Sequence, residues 1–143
     1  MHENGVGAVK HILCPIDGSD PGKRAVATAA AMAQRMQAKL TLLHITQYVV
    51  GRSGVYEVST PEETERYLAE AQVIASHEAY NDPALRNVRA RDPANAILDF
   101  VEENEVDHIV MGAAGKGAMK SFLLGSVSSD ILRKAYCPVT IVH

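Results

Sequence analysis

Lys10-His11-Ile12-Leu13-Cys14-Pro15-Ile16-Asp17-Gly18-Ser19-Asp20-Pro21 is an apolar run that turns abruptly polar and then meets a proline. A run this short and this apolar reads as a strand buried on both faces, Lys10–Ile16. Pro21 suits the first turn of a helix, with Asp20 as its N-cap. Ala25, Ala29, Met32, Ala33 and Met36 then recur at helical spacing. Leu40–Ile45 is a second apolar run, so the opening is a strand, a helix and a strand.

The rest of the chain repeats that alternation. Thr60-Pro61-Glu62-Glu63 is a capping box, and Tyr67, Leu68, Ala71, Ile74 and Ala75 form the inner face of the helix it opens. Leu85–Ala90 is a third strand. Asp92-Pro93 starts a third helix with Ala94, Ile97, Leu98 and Val101 inward. Val106–Met111 is a fourth strand, about Val127 to Ala135 a fourth helix, and Val139–Val142 a fifth strand. Apolar strands alternating with amphipathic helices predict an α/β fold: one doubly wound, five-stranded parallel sheet with helices on both faces. Such sheets bind ligands beyond the carboxyl ends of their strands, where the strand order reverses. That points to Asp17–Ser19, to Thr46 onward, and to Gly112 onward. Pro15 cannot donate to a ladder, and it is expected to mark where the first strand leaves the sheet. Thr46–Ser59 carries no clear periodicity and reads as a long loop, either a flap over a ligand (Tyr48, Val49, Val50, Val55, Tyr56) or a solvated segment.

The chain has 143 residues and a net charge of −3, which fits one domain and lacks the basic footprint of a nucleic-acid binder. Residues 1–8 are expected to form a flexible segment ahead of a single domain over 9–143. No apolar run approaches about 18 residues, so no membrane span is predicted. No secretory signal is visible, and the expected compartment is the cytoplasm. The charge is uneven: residues 1–111 hold 10 Lys/Arg against 16 Asp/Glu, whereas residues 112–143 hold Lys116, Lys120, Arg133 and Lys134 against Asp130. The C-terminal quarter is therefore the better place for an anionic ligand. Cys14 and Cys137 are too few for a disulfide framework. They fall at opposite ends of parallel strands, where a bond between them is not expected.

The chemistry concentrates in Met111-Gly112-Ala113-Ala114-Gly115-Lys116-Gly117 and the following Gly125-Ser126-Val127, with four of the ten glycines and no acid. Gly112 ends a strand, where a missing Cβ lets a ligand approach the backbone. Gly115 and Gly117 permit turns whose amides suit phosphate oxygens, and Gly125-Ser126 opens a helix whose free N–H groups attract anions. Lys116 is placed to reach a terminal phosphate. Ordinary turn and cap glycines are the competing reading. The stretch matches neither the phosphate-loop nor the dinucleotide fingerprint. Asp17, at the end of the first strand, is placed either to accept both hydroxyls of a ribose or to serve as a turn carboxylate.

His11-Ile12-Leu13-Cys14-Pro15-Ile16-Asp17-Gly18-Ser19 resembles the first strand and loop of the universal stress protein family. Val106–Val142 resembles that family's C-terminal signature, Met-Gly, then Gly-x2-Gly-x9-Gly-Ser carried by Gly112, Gly115 and Gly125-Ser126, then Cys-Pro-Val and a last strand. Leu40–Ile45 fits its second strand, and the resemblance runs from Val9 onward. The motif marks the members that bind ATP. The resemblance implies a Rossmann-like fold of the adenine nucleotide alpha hydrolase-like type and an ATP-binding regulatory module of the stress response. It implies that Asp17 holds the ribose, that the backbone of Ile45 meets the adenine edge and that Pro15 lines the base pocket. Met111 and Gly112 then lie near the ribose and α-phosphate. Gly115, Gly125, Ser126 and Val127 bind the phosphates, often with a divalent ion (Mg or Mn). It further implies a homodimer through Val139–Val142, a strand that is itself an apolar edge needing a partner. Ala113, Ala114 and Arg91 depart from the family pattern.

No nucleophile–base pair is visible, and the six histidines lack metal-ligand spacing. His44 reads either as a packed strand-end residue or as part of the pocket. Slow ATP hydrolysis is the most catalysis expected. The rival from another class is a nucleotide-free dimeric interaction module, in which the glycines only shape turns.

Overall fold

A computed structural model describes residues 8–114 and 124–143 of the chain. The expected flexible segment lies almost wholly outside them, as do Gly115, Lys116 and Gly117. The elements run β1 (His11–Ile16), α1 (Asp20–Met36), β2 (Lys39–Gly51), β3 (Gly54–Glu57), α2 (Pro61–His77), β4 (Ala84–Ala90), α3 (Pro93–Glu103), β5 (His108–Gly112), α4 (Ser126–Lys134) and β6 (Val139–Val142).

Five strands are parallel and lie in the order β4-β2-β1-β5-β6. The order reverses between β1 and β5, so the crevice of a doubly wound sheet falls there. Alternation along β1 sends Ile12, Cys14 and Ile16 toward α1 and α2, and Leu13 toward α3 and α4. Helix α1 meets the sheet through Ala25, Ala29, Ala30 and Ala33, all fully buried. Four methyl-sized side chains let it lie close over β1 and β5. The opposite face is filled by Leu43, Ile97, Phe100, Ile109 and Ile131.

Three details differ from the expectations. First, Thr46–Ser59 is not a loop. Strand β2 continues to Gly51 and turns back through Arg52-Ser53 into β3, an antiparallel hairpin with pairs Tyr48↔Glu57, Val49↔Tyr56, Val50↔Val55 and Gly51↔Gly54. Among the described residues the sheet is therefore six-stranded. Val49, Val50, Val55 and Tyr56 are exposed on this arm. Second, Ser19 and not Asp20 caps α1, accepting from the Gly22 amide at 3.1 Å. Asp20 is already helical. Third, β1 does not leave the sheet at Pro15: it pairs β2 through Ile16↔His44. Its pairing with β5 is confined to Ile12 and Leu13, so the proline sits where only one side of the strand is still engaged. No helix among the described residues is long and apolar enough to cross a membrane.

Candidate functional site

The gap between β1 and β5 opens into a cavity of about 660 Å³ over the carboxyl ends of β1, β2 and β5. Pro15, Ile45, Met111 and Gly112 line it from the strands, Asp17 from just past the end of β1, and Gly125, Ser126 and Val127 from the start of α4. Ile45 stands one residue past the last β2 position that β1 pairs, while β4 still pairs it through Val88. The topology thus brings together eight of the positions singled out from the sequence.

Asp17 is held from below. Its Oδ1 accepts from the Ser19 amide at 3.0 Å and from the Ser19 hydroxyl at 2.6 Å. Ser19 Oγ, in turn, accepts from the Gly22 amide. One serine therefore caps the helix and orients the carboxylate, an Asx-type turn. Among the described residues Asp17 Oδ2 has no partner. Gly18 stands at φ 80°, and a Cβ there would overlap the Tyr67 ring. Only glycine gives both that backbone and that contact.

Gly112 does a different job from the one expected of it. Its missing Cβ points at α1, where it would meet Gly22 N and Pro21 C at 2.9 Å. The glycine lets the first turn of α1 pack against the end of β5; it does not clear space for a ligand. The next residue, Ala113, ties three elements together. Its amide donates to Val142 O at 2.8 Å, and its carbonyl accepts from the Gly125 amide at 2.8 Å and from the Ser128 hydroxyl at 2.6 Å. That brings the N-terminus of α4 back to the strand ends. Gly125 is the N-cap of α4 and supplies no side-chain cap. The start of α4 thus brings the partial positive charge of a helix N-terminus to the cavity lining. Arg133 and Lys134, by contrast, lie in the last turn of α4, at its far end.

The far wall was not legible beforehand. Tyr67 and Glu63 reach in from α2, Gln47, Val58 and Ser59 from the hairpin base, and Pro93 and Ile97 from α3. His44 is buried there, with its ring centroid 5.8 Å from that of Tyr67. Its Nδ1 lies 2.8 Å from Asn87 Oδ1, which also accepts from the Thr46 hydroxyl at 3.0 Å. Asn87 comes from β4, and only the register pair His44↔Asn87 places it there. No group of three or more metal-ligating side chains occurs among the described residues.

The model of the universal stress protein family matches residues 8–143. A universal stress protein of Thermus aquaticus is 37% identical over 141 residues, covering 94% of this chain and 98% of its own. A universal stress protein solved in complex with cAMP superposes with a TM-score of 0.73 at 28% identity, covering 95% of this chain and 98% of its own. One from Archaeoglobus fulgidus, solved in complex with dAMP, superposes with a TM-score of 0.65 at 22% identity over 94% of this chain and 98% of its own, a likeness of fold. With the family model spanning the described sheet and the relatives matched nearly end to end, the chain belongs to the universal stress protein family.

Proposed function

We propose that this chain is an ATP-binding regulatory module of a stress response, working as a homodimer in the cytoplasm, and that the cavity between β1 and β5 takes the nucleotide. The observation that carries the reading is the pairing of an uncapped helix start with an oriented carboxylate across one cavity. About 660 Å³ lies within the usual range of small-molecule sites. Asp17 Oδ2 would accept from the sugar hydroxyls. The main chain of Gly125–Val127 and the Ser126 hydroxyl would hold phosphate oxygens, with Gly115 and Lys116 completing that end. Pro15, Ile45, Met111 and Gly112 would wall the base and ribose. A Mg or Mn ion would be held chiefly by phosphate and water. The neighbour solved with cAMP supports an adenine nucleotide as the ligand class.

Two or three charge-assisted bonds contribute about 3–9 kcal/mol gross, and micromolar binding needs about 8 kcal/mol net. Burial of the base supplies the remainder, so the expected Kd is micromolar to sub-millimolar. Calorimetric titration with ATP tests this. Asp17→Ala is expected to raise Kd about tenfold by removing one charge-assisted contact. No heat at millimolar ATP, with no nucleotide released on denaturing the purified protein, removes the reading and leaves a nucleotide-free interaction module. As for chemistry, the reading allows at most slow hydrolysis.

The dimer reading rests on β6, which ends the sheet. Beside it, Leu132 is 43% exposed and Tyr136 fully so. An open strand edge next to exposed apolar side chains is a surface that associates. Sedimentation as a monomer at tens of micromolar would remove this part alone.

A further inference from the structure

His44 is 4% exposed and lines the cavity. Asn87 Oδ1 faces its Nδ1 and already receives the Thr46 hydroxyl. An amide oxygen only accepts, so the Nδ1 that faces it carries a hydrogen. In the neutral ring Nε2 is left with a lone pair, and among the described residues nothing donates to it. A buried acceptor without a donor is costly, and His44 lines the cavity with the Tyr67 ring tilted beside it and Asn87 at its Nδ1.

We propose that His44 is the specificity-determining residue of the cavity: held as the Nδ1–H form by Asn87, it accepts a hydrogen from the amine of the ligand's base and so selects a 6-amino over a 6-oxo purine. The inference rests on the nucleotide reading above. A 6-oxo purine would set a carbonyl oxygen against the Nε2 lone pair, two acceptors facing each other away from water. A site built to accept a hydrogen discriminates strongly against a ligand that lacks it. The glycine-rich segment and Asp17 would face phosphate and sugar, which the two purine nucleotides share; the main chain of Ile45, next to His44 in the lining, is the other group that would meet the base, and His44→Phe separates the two.

Two measurements test it. Calorimetry with ATP and with inosine triphosphate is expected to give at least a tenfold preference for ATP in the parent. The preference should fall severalfold in His44→Phe, which keeps a ring against Tyr67 but no acceptor, and should shrink in Asn87→Ala, a change at an exposed position. Imidazole nitrogen chemical shifts in the protein without nucleotide are expected to show His44 as Nδ1–H, and Asn87→Ala should move it toward Nε2–H. A parent that binds both nucleotides equally, or that prefers inosine triphosphate, overturns the inference and leaves the nucleotide reading standing. So does an Nε2–H spectrum in the parent. A parent that binds neither nucleotide overturns both.

Discussion

A Cβ on Gly22 would lie 2.7 Å from Asp17 Oδ1. The carboxylate therefore rests on the first turn of α1, in space that only a glycine leaves. Gly22→Ala tests this relationship. The obstructed atom is the end of a side chain, so the fold gives way cheaply and the carboxylate moves. Alanine also favours the helix by about 0.5–1 kcal/mol, which offsets lost contact with Ser19. The expected outcome is a Tm within a few degrees of the parent and a several-fold weaker ATP titration. A variant that binds ATP as tightly as the parent would separate the position of Asp17 from ligand binding.

Gly112 lies behind Gly22, and there the obstruction is backbone: Gly22 N and Pro21 C, each 2.9 Å from the missing Cβ. Backbone cannot rotate aside, so Gly112→Ala must push α1 off β5. Overpacking of this kind costs about 1–3 kcal/mol. Urea unfolding is expected to show a free energy lowered by that amount, seen as a lower midpoint with an unchanged slope. An unaltered midpoint would mean that Gly112 serves the ligand, as first expected from its place at a strand end.

The parts of the fold that could be read from the sequence are those in which one residue's neighbours are set by burial. Ile12, Leu13 and Cys14 are buried on both faces, and Thr60 with Glu63 satisfy each other's amides at 3.1 and 2.9 Å. The hairpin was missed because its valines are exposed and so carry no alternation between core and solvent. The local signal was nonetheless present: two short runs of Val and Tyr flank Gly51-Arg52-Ser53-Gly54, the pattern of a two-residue turn. At the site, Asp17, Gly125 and Ser126 were legible because the strand-end rule locates them. Asn87 was not, because its place opposite His44 depends on the register of a polar edge strand, and nothing in a single strand's sequence states its register. Gly112 was found for the wrong reason, since a strand-end glycine looks the same whether a ligand or a helix approaches it.

Cys14 and Cys137 are both free thiols, but their surroundings differ. Burial, with a smaller contribution from Asp17, holds the Cys14 thiol far above its ordinary range. Half-buried Cys137 is also raised by burial, against which its own backbone amide acts. The thiolate is the reactive form, so an alkylating reagent at pH 8 is expected to modify Cys137 slowly and Cys14 not at all until the protein unfolds. They belong to cores on opposite faces of the sheet, so mild oxidation should give no intramolecular bond. Mass spectrometry of the labelled native protein checks both points, and native-state labelling of Cys14 would contradict its place under α1.

His11 and His108 sit at the amino ends of β1 and β5, away from the cavity. His11 donates from Nδ1 to Asn104 O at 3.0 Å and accepts the Thr41 hydroxyl at Nε2 at 2.8 Å. Burial lowers its pKa, the Asn104 carbonyl opposes that, and Lys39 and Asp107 act in opposite directions. Burial also lowers His108, which faces Thr140 across β5–β6 at 2.8 Å, and Asp107 opposes it. A histidine whose folded pKa lies below its unfolded value near 6.5 takes its proton preferentially when unfolded. Its stabilising contribution is therefore complete above about pH 6.5 and is lost as the pH falls through that value toward the folded pKa. The limiting slope is about 1.4 kcal/mol per pH unit for each group. Urea midpoints are expected to fall from pH 7.5 to pH 5.5. His11→Gln, which lacks the titrating group, should be less stable at pH 7.5 and should show a shallower fall. A variant that loses stability with acid as steeply as the parent would assign the acid sensitivity to His108 or to other groups.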